Sequence, residues 1–474
     1  MVTPLKPLAL ALFLALATAL CPAEPPFLAG VAKRLITPEV GEGKPTVWLA
    51  GYGAGRAATG VHDDLFARAL VLKLGETTVA FVTLDLIGFF HPEVVQIRAT
   101  LAAQCPISHL IVASTHNHEG PDTLGLWGEH PLSSGVNPAY NALVRQKVCE
   151  AVLEAAQTLK PVRVRFTQSA TKGITTDSRP PKVLDEGLYL MHFEHADSGK
   201  PFATFVNWSA HPEVLGSRNT LVTADFCKYV VDRLEREFGA GYTALYFTGS
   251  IGGLLGASGR SLTDPATGKP PPNATFREAE LVGEEVGRVA IEAVRSAPLS
   301  QPNSLSFKVK EIYVPLTNAW YWAGRVAGVV DRKLYAPNPD GKTFSEEGVG
   351  ARFVRSEVSV VTLGEAQFLM VPGEIYPELT NGGIQAPQDP GADFQGAPLE
   401  PPLRSLMTGK FKFVLGLAND ELGYIIPKSQ WDSAPPYTYG REKPLYGEIN
   451  SASYELAPIV ADAFKELLPA ESDK

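Results

Sequence analysis

The chain reads as an α/β protein: a single large domain in which a mixed β-sheet is flanked by helices, with a metal site at the strand ends. Three observations predict this. Apolar runs rich in β-branched residues alternate with longer stretches whose apolar residues recur at helical spacing. Polar side chains able to bind a metal stand where several of those runs stop. At 474 residues, 45% hydrophobic and 20% charged, the chain has the make-up of an ordinary globular protein with ample core material.

From the N-terminus, Lys6 precedes the apolar segment PLALALFLALATAL, followed by the small-residue cleavage candidates ATA (17–19) and CPA (21–23). That layout is a secretory signal peptide over residues 1–23, too short for a comfortable membrane span. Residues 24–474 are then the globular domain, and the protein is expected to be exported, either secreted or periplasmic. Cys21 keeps a lipid-anchored form as the alternative; Leu20 is large for that kind of processing site. Cys105, Cys149 and Cys227 allow at most one disulfide among them, and their spacing resembles no zinc cluster.

Strands are expected at 77–89, 109–115, 162–168, 202–210, 242–249, 305–316, 357–373 and 411–420, where β-branched and aromatic residues concentrate. Helices are expected at 137–159, 224–239, 275–297 and 451–468. Two Pro- and Gly-rich segments, 262–274 and 385–403, read as surface loops, candidates for the mouth of a site. There is no internal repeat and no low-complexity tail. A net charge of −9, with no basic cluster, excludes an ordinary nucleic-acid binder.

The segment STHNHEGPD (114–122) follows the apolar run HLIVA and holds two of the nine histidines, His116 and His118, one residue apart. On a strand their side chains point the same way. Two ligands for one ion, one ligand beside a catalytic neighbour, and a polar loop after a core strand all remain open. Three further polar residues follow other strand candidates: His211 after FATFVNWSA, Glu374 after AQFLMVPG and Tyr424 after FKFVLGLAND. Two imidazoles and a carboxylate form a common shell for a hydrolytic zinc, which lowers the pKa of a bound water towards neutrality. The spacing is too wide for a compact motif, so a turn residue or core tyrosine stays open at each position.

These segments resemble the catalytic domain of the neutral/alkaline, non-lysosomal ceramidases. AGVAKRLITP (29–38), the GY at 51–52 and TGVHDDLFARALVL (59–72) are similar to that family's opening. VASTHNHEGPD resembles its Thr-His-Thr-His-Ser-Gly-Pro segment, and NWSAHPEVLGSRNTLVTADFCKY its second histidine segment. VPGE and GLANDELGYI are similar to its Pro-Gly-Glu and Gly-Leu-x-Asn-x-x-x-x-Tyr. The resemblance implies Zn²⁺ held by His116, His211, Glu374 and Tyr424. His118 would be a catalytic or substrate-contacting neighbour passing a proton to the leaving amine, and Tyr424 a possible oxyanion partner. Asp85 and Asp225 are the candidates to orient the ligands. The implied reaction is hydrolysis of an N-acylsphingosine to sphingoid base and fatty acid, with a lipid or N-acyl small molecule as substrate, including at a membrane surface.

The departures are specific. Where the family carries Gly-Asp-x-Ser-Pro with an implicated serine, this chain has GSIGGLLGAS (249–258), with Gly253, Leu255 and Gly256 at the Asp, Ser and Pro positions. Ser250 and Ser258 lie nearby. The family's separate C-terminal sandwich domain is not expected. Two other classes therefore stand beside the ceramidase reading: a zinc hydrolase of another acyl amide or ester, and a non-catalytic binding protein on the same fold. The presence of all four ligand types argues against the second. An apolar groove would draw on LGLWG (124–128), NAWYWAG (318–324) and IGGLLGA (251–257), although Trp127, Trp320 and Trp322 suit ordinary core or rim positions equally.

Overall fold

The computed structural model describes residues 25–347 and 351–468. The signal-peptide segment and Cys21 lie outside them. The expected α/β architecture is present. An eight-stranded mixed sheet is built from β1 (Leu28–Leu35), β2 (Phe66–Leu74), β3 (Thr77–Leu84), β4 (His109–Ser114), β5 (Lys160–Ala170), β6 (Gly187–His195), β7 (Pro201–Trp208) and β8 (Thr243–Thr248). Its spatial order is β8-β7-β6-β5-β1-β2-β3-β4. Only the outermost pairs, β3–β4 and β7–β8, are parallel. Each needs a crossover, supplied by helices α1 (His91–Ala102) and α3 (Asp225–Phe238). Helix α2 (Pro138–Gln157) packs on β1 and β2, and α4 (Phe276–Ser296) on α3.

Strand and helix identity follow from local chemistry. The TTVAFVTL of β3 is β-branched at five of its eight positions and buried almost throughout. Asn137 caps α2, its side chain accepting from Ala139 N, with Pro138 at the first helical position. Thr275 caps α4 and accepts from Glu278 N.

A second sheet contains the long antiparallel pair Leu305–Pro315 and Phe353–Leu363, then Ala366–Met370 and Phe411–Leu415, which are parallel to one another. The two sheets share a phenylalanine core. Phe81 on β3 lies 5.6 Å from Phe205 and 5.4 Å from Phe368, and Phe205 stacks on Phe247 at 4.1 Å. Burying each ring contributes about 2–3 kcal/mol. The first sheet curls until its two edges meet: Thr83 Oγ1 donates to Tyr246 O at 2.6 Å, and Thr248 Oγ1 to Thr115 O at 2.6 Å. The carboxyl ends of β4, β7 and β8 thereby converge.

Several expectations are corrected. The run 357–373 is two strands, because Gly364 (φ +53°) and Glu365 turn the chain back into a hairpin. The run 77–89 leaves the sheet at Leu84, and 411–420 at Leu415. The last helix begins at Leu456, since Ser453 is used as a turn residue whose Oγ accepts from Glu455 N. Helix α1 and strands β1, β2 and β6 were not expected. In α1, Pro92 at the helix start and buried His91, Val94, Ile97 and Leu101 carry the missed helical signal. Cys105, Cys149 and Cys227 are all free thiols, so none of the disulfides allowed by the sequence forms among them. Among the described residues no helix is long and apolar enough to cross a membrane.

Candidate metal centre

Beyond the end of β4 the chain does not continue as a strand. His116 takes a left-handed backbone conformation (φ +68°), uncommon for a residue with a Cβ. Asn117 holds this turn in place: its Nδ2 donates to Thr223 O at 2.7 Å and Asp85 O at 3.2 Å, and its Oδ1 accepts from Glu119 N at 3.0 Å. The strand alternation expected for His116 and His118 is therefore not what pairs them. The turn brings their rings to 5.0 Å.

His211, three residues past β7, joins them, its ring 5.0 Å from His116 and 5.6 Å from His118. The second sheet supplies the rest. Leu417 N donates to Gly373 O at 3.1 Å, and Asn419 brackets Val112 of β4, donating through its backbone N and accepting at Oδ1. This splice presents the parallel partners Glu374 and Tyr424 to the histidines. Arg332 clamps Asp420 through two contacts of 2.8 and 2.7 Å, fixing the loop before Tyr424.

The donor set fits a metal ion. Nδ1 of His116 donates to Ile87 O at 2.8 Å and Nδ1 of His211 to Leu255 O at 2.7 Å, which turns both Nε2 atoms inward. Oε2 of Glu374 lies 2.9 Å from His211 Nε2 and 3.3 Å from His116 Nε2. Neighbouring ligands around a tetrahedral zinc are separated by about 3.4 Å. Both ring nitrogens of buried His118 lack a hydrogen-bond partner. His116, His118 and His211 each offer a nitrogen within 4.8 Å of the others. The cluster could thus hold an ion with three imidazoles, or with His116, His211 and Glu374 while His118 faces its open side. Tyr424 is buried beside them, its ring 6.4 Å from that of His211.

Electrostatics follow from crowding. Burial, then the neighbouring imidazoles, hold His118 well below the usual histidine range. Burial works against charge on His211 too, but the Glu374 hydrogen bond and the charges of Glu213 and Glu374 outweigh it and lift the ring to about 9. Glu421, also buried, is pushed far up by desolvation and by Glu374.

The ligand orienters are backbone carbonyls, which corrects the expectation of Asp85 and Asp225. Asp85 accepts from Arg68 Nη1 and Phe66 N, and Asp225 from Leu215 N and Phe226 N. Leu255, at the position of the absent serine, contributes its carbonyl to both the backbone N and the ring of His211. Ser250 donates to Thr380 Oγ1 at 3.0 Å, and Ser258 accepts from Arg260 N; neither lines the metal cavity.

That cavity is lined by His116, His118, Glu374 and Tyr424 together with Leu124, Leu126, Trp127, Tyr321, Glu421 and Tyr446. The LGLWG segment does line it. NAWYWAG contributes Tyr321 instead of its tryptophans, Trp320 being 75% exposed, and IGGLLGA contributes no lining side chain. Neither Pro-rich loop reaches it.

Sequence reasoning missed three residues that hold His118. Gly51 lies against its ring, Tyr52 meets it edge-on at 5.0 Å, and Glu213 Oε2 stands 3.5 Å from its Nδ1. Glu213, two residues beyond His211 in HPE, was the legible one. Glu421 was missed because an acid in a loop reads as solvated.

No protein-family model and no curated protein matches the sequence. Among solved structures, the chain is similar to the neutral ceramidase from Pseudomonas aeruginosa, with a TM-score of 0.67 and 16% identity, covering 94% of this chain and 76% of that one. A ceramidase complexed with C2 matches over the same shares, with a TM-score of 0.66 and 16% identity. At this identity the likeness is one of fold.

Proposed function

We propose that the protein is a zinc-dependent amidohydrolase that cleaves an N-acylsphingosine to sphingoid base and fatty acid. The observation that carries this reading is the clustering of His116, His118 and His211 about Glu374, at a cavity that His116, His118, Glu374 and Tyr424 line. The fold shared with the ceramidase structures and the motif resemblance support it. His116, His211 and Glu374 are the protein ligands, with Tyr424 beside them. Zinc, when bound, supplies Lewis acidity for the amide carbonyl and activates water. His118, with Glu213 beside Nδ1 and its other nitrogen free, carries a proton to the departing amine. Tyr424 donates its hydroxyl to the developing oxyanion. Among the described residues no serine lines the cavity, which supports direct attack by water over an acyl-enzyme.

Exposed Tyr446 and Ile449, next to the lining residue Asn450, suit an amphiphile whose alkyl chains stay outside at a membrane surface. The N-terminal segment supports export, with 24–474 as the mature domain; N-terminal sequencing of the exported protein tests the cleavage site. Leu255 in place of the serine favours a second reading, hydrolysis of another acyl amide or ester. The test is a zinc-loaded assay with a short-chain fluorescent ceramide beside water-soluble N-acyl amines and esters, with and without chelator. Chelator-sensitive ceramide cleavage at neutral to alkaline pH is expected. Cleavage of the soluble substrates with every ceramide left intact overturns the ceramidase assignment.

A further inference from the structure

Glu421 enters neither the ligand set nor the proton path described above, yet it lines the same cavity. It sits in the tight segment Asp420–Tyr424. Its backbone N donates to Asp420 Oδ1 at 2.8 Å, and Asp420 is clamped by Arg332. Its side chain packs against Gly88, where a Cβ would come within 3.0 Å of Glu421 Cβ and Cγ. Oε1 accepts from Gly423 N at 2.8 Å. Oε2 is buried and has no hydrogen-bond partner. The residue is 4% exposed. A backbone clamp, a glycine contact and one satisfied oxygen thus fix a carboxyl whose second oxygen is left for something entering the cavity. Leaving such an oxygen buried and unpaired is unfavourable, and a ligand hydrogen bond recovers the loss.

We propose that Glu421 is a specificity-determining residue whose free oxygen takes a hydrogen bond from a hydroxyl on the amine portion of the substrate. A hydroxyl both donates and accepts, so it satisfies Oε2 whether or not the carboxyl carries a proton. A fatty acyl chain has no donor, which places the hydroxyl on the amine side; this step rests on the amide-hydrolase reading. Tyr321, Tyr446 and Asn450 line the same cavity and extend the polar wall.

The test compares a short-chain N-acyl amino alcohol with its deoxy counterpart, using the zinc-loaded full chain. Wild type is expected to favour the hydroxyl substrate in kcat/KM by about tenfold or more. Glu421→Leu and Glu421→Ala are expected to bring that ratio towards one, with zinc content and thermal stability measured alongside. Calorimetric binding of the free amino alcohol against its deoxy amine reads the same preference without turnover. Hydroxyl-dependent binding without amide cleavage retires the hydrolase reading and keeps the assignment of Glu421. Cleavage with a wild-type ratio within twofold does the reverse, whether or not the variants fold. A ratio that survives both substitutions also overturns the assignment.

Discussion

Replacing Gly51 by alanine separates the two ways the histidine cluster can hold an ion. A Cβ at Gly51 would lie 2.3 Å from His118 Cγ and 2.6 Å from Nδ1, whereas ordinary contact begins at 3.4 Å. The imidazole must therefore retreat by about 1 Å, the difference between 3.4 and 2.3 Å. Gly51 also has φ +95°, so a side chain there strains the backbone by about 1–3 kcal/mol. The three atoms nearest such a Cβ all belong to His118, whereas His116, His211 and Glu374 are held by other elements. If His118 is the proton carrier, a displacement of about 1 Å costs roughly 100-fold in kcat, close to 2.7 kcal/mol in barrier, with the metal retained. The assay pairs kcat on the amide substrate with zinc per chain by elemental analysis. Loss of zinc in step with activity would refute the reasoning and make His118 a ligand in a three-imidazole site. Unchanged kcat would show that the ring is not confined as the geometry requires.

Other expectations follow from the same site. His116→Ala and His211→Ala should each lose both bound zinc and activity; full zinc occupancy in either variant removes that residue from the ligand set. Ser250→Ala should keep most of the activity, because Ser250 faces Thr380, away from the cavity; a burst phase or a trapped adduct on Ser250 or Ser258 would contradict this. Outside the cavity, burial raises Glu378, in the short helix Pro377–Asn381 that follows Glu374, from 4.5 to about 7, so the folded protein binds this proton more tightly than the unfolded chain. Its contribution is then complete below pH 4.5 and lost as pH rises through 7, an effect of about 3 kcal/mol at most. Glu378→Gln should accordingly raise Tm at pH 8 and change it little near pH 4.5; an equal shift at both would refute the assignment.

The sequence alone determined the fold class, the core strands β3, β4, β5, β7 and β8 of the first sheet, and the histidines His116, His118 and His211 that cluster as a possible metal site. Those features are encoded locally, in the β-branched run of β3, the Asn137-Pro138 start of α2 and the polar residues that follow apolar runs. Helix α1 was hidden because its apolar residues follow directly on the strand run ending near 89, with a proline between them. The pairing of His116 with His118 was anticipated for the wrong reason, since strand periodicity carries no information about the left-handed turn that Asn117 stabilises. The tertiary structure decided what depends on long-range closure. Only the curling of the first sheet and its splice to the second bring His211, Glu374 and Tyr424, distant in sequence, to His116. Only that closure makes backbone carbonyls the partners of the imidazoles, in place of Asp85 and Asp225. The burial of Glu421 follows the same logic: whether a carboxylate is solvated or confined depends on what folds over it, and a loop sequence does not carry that information.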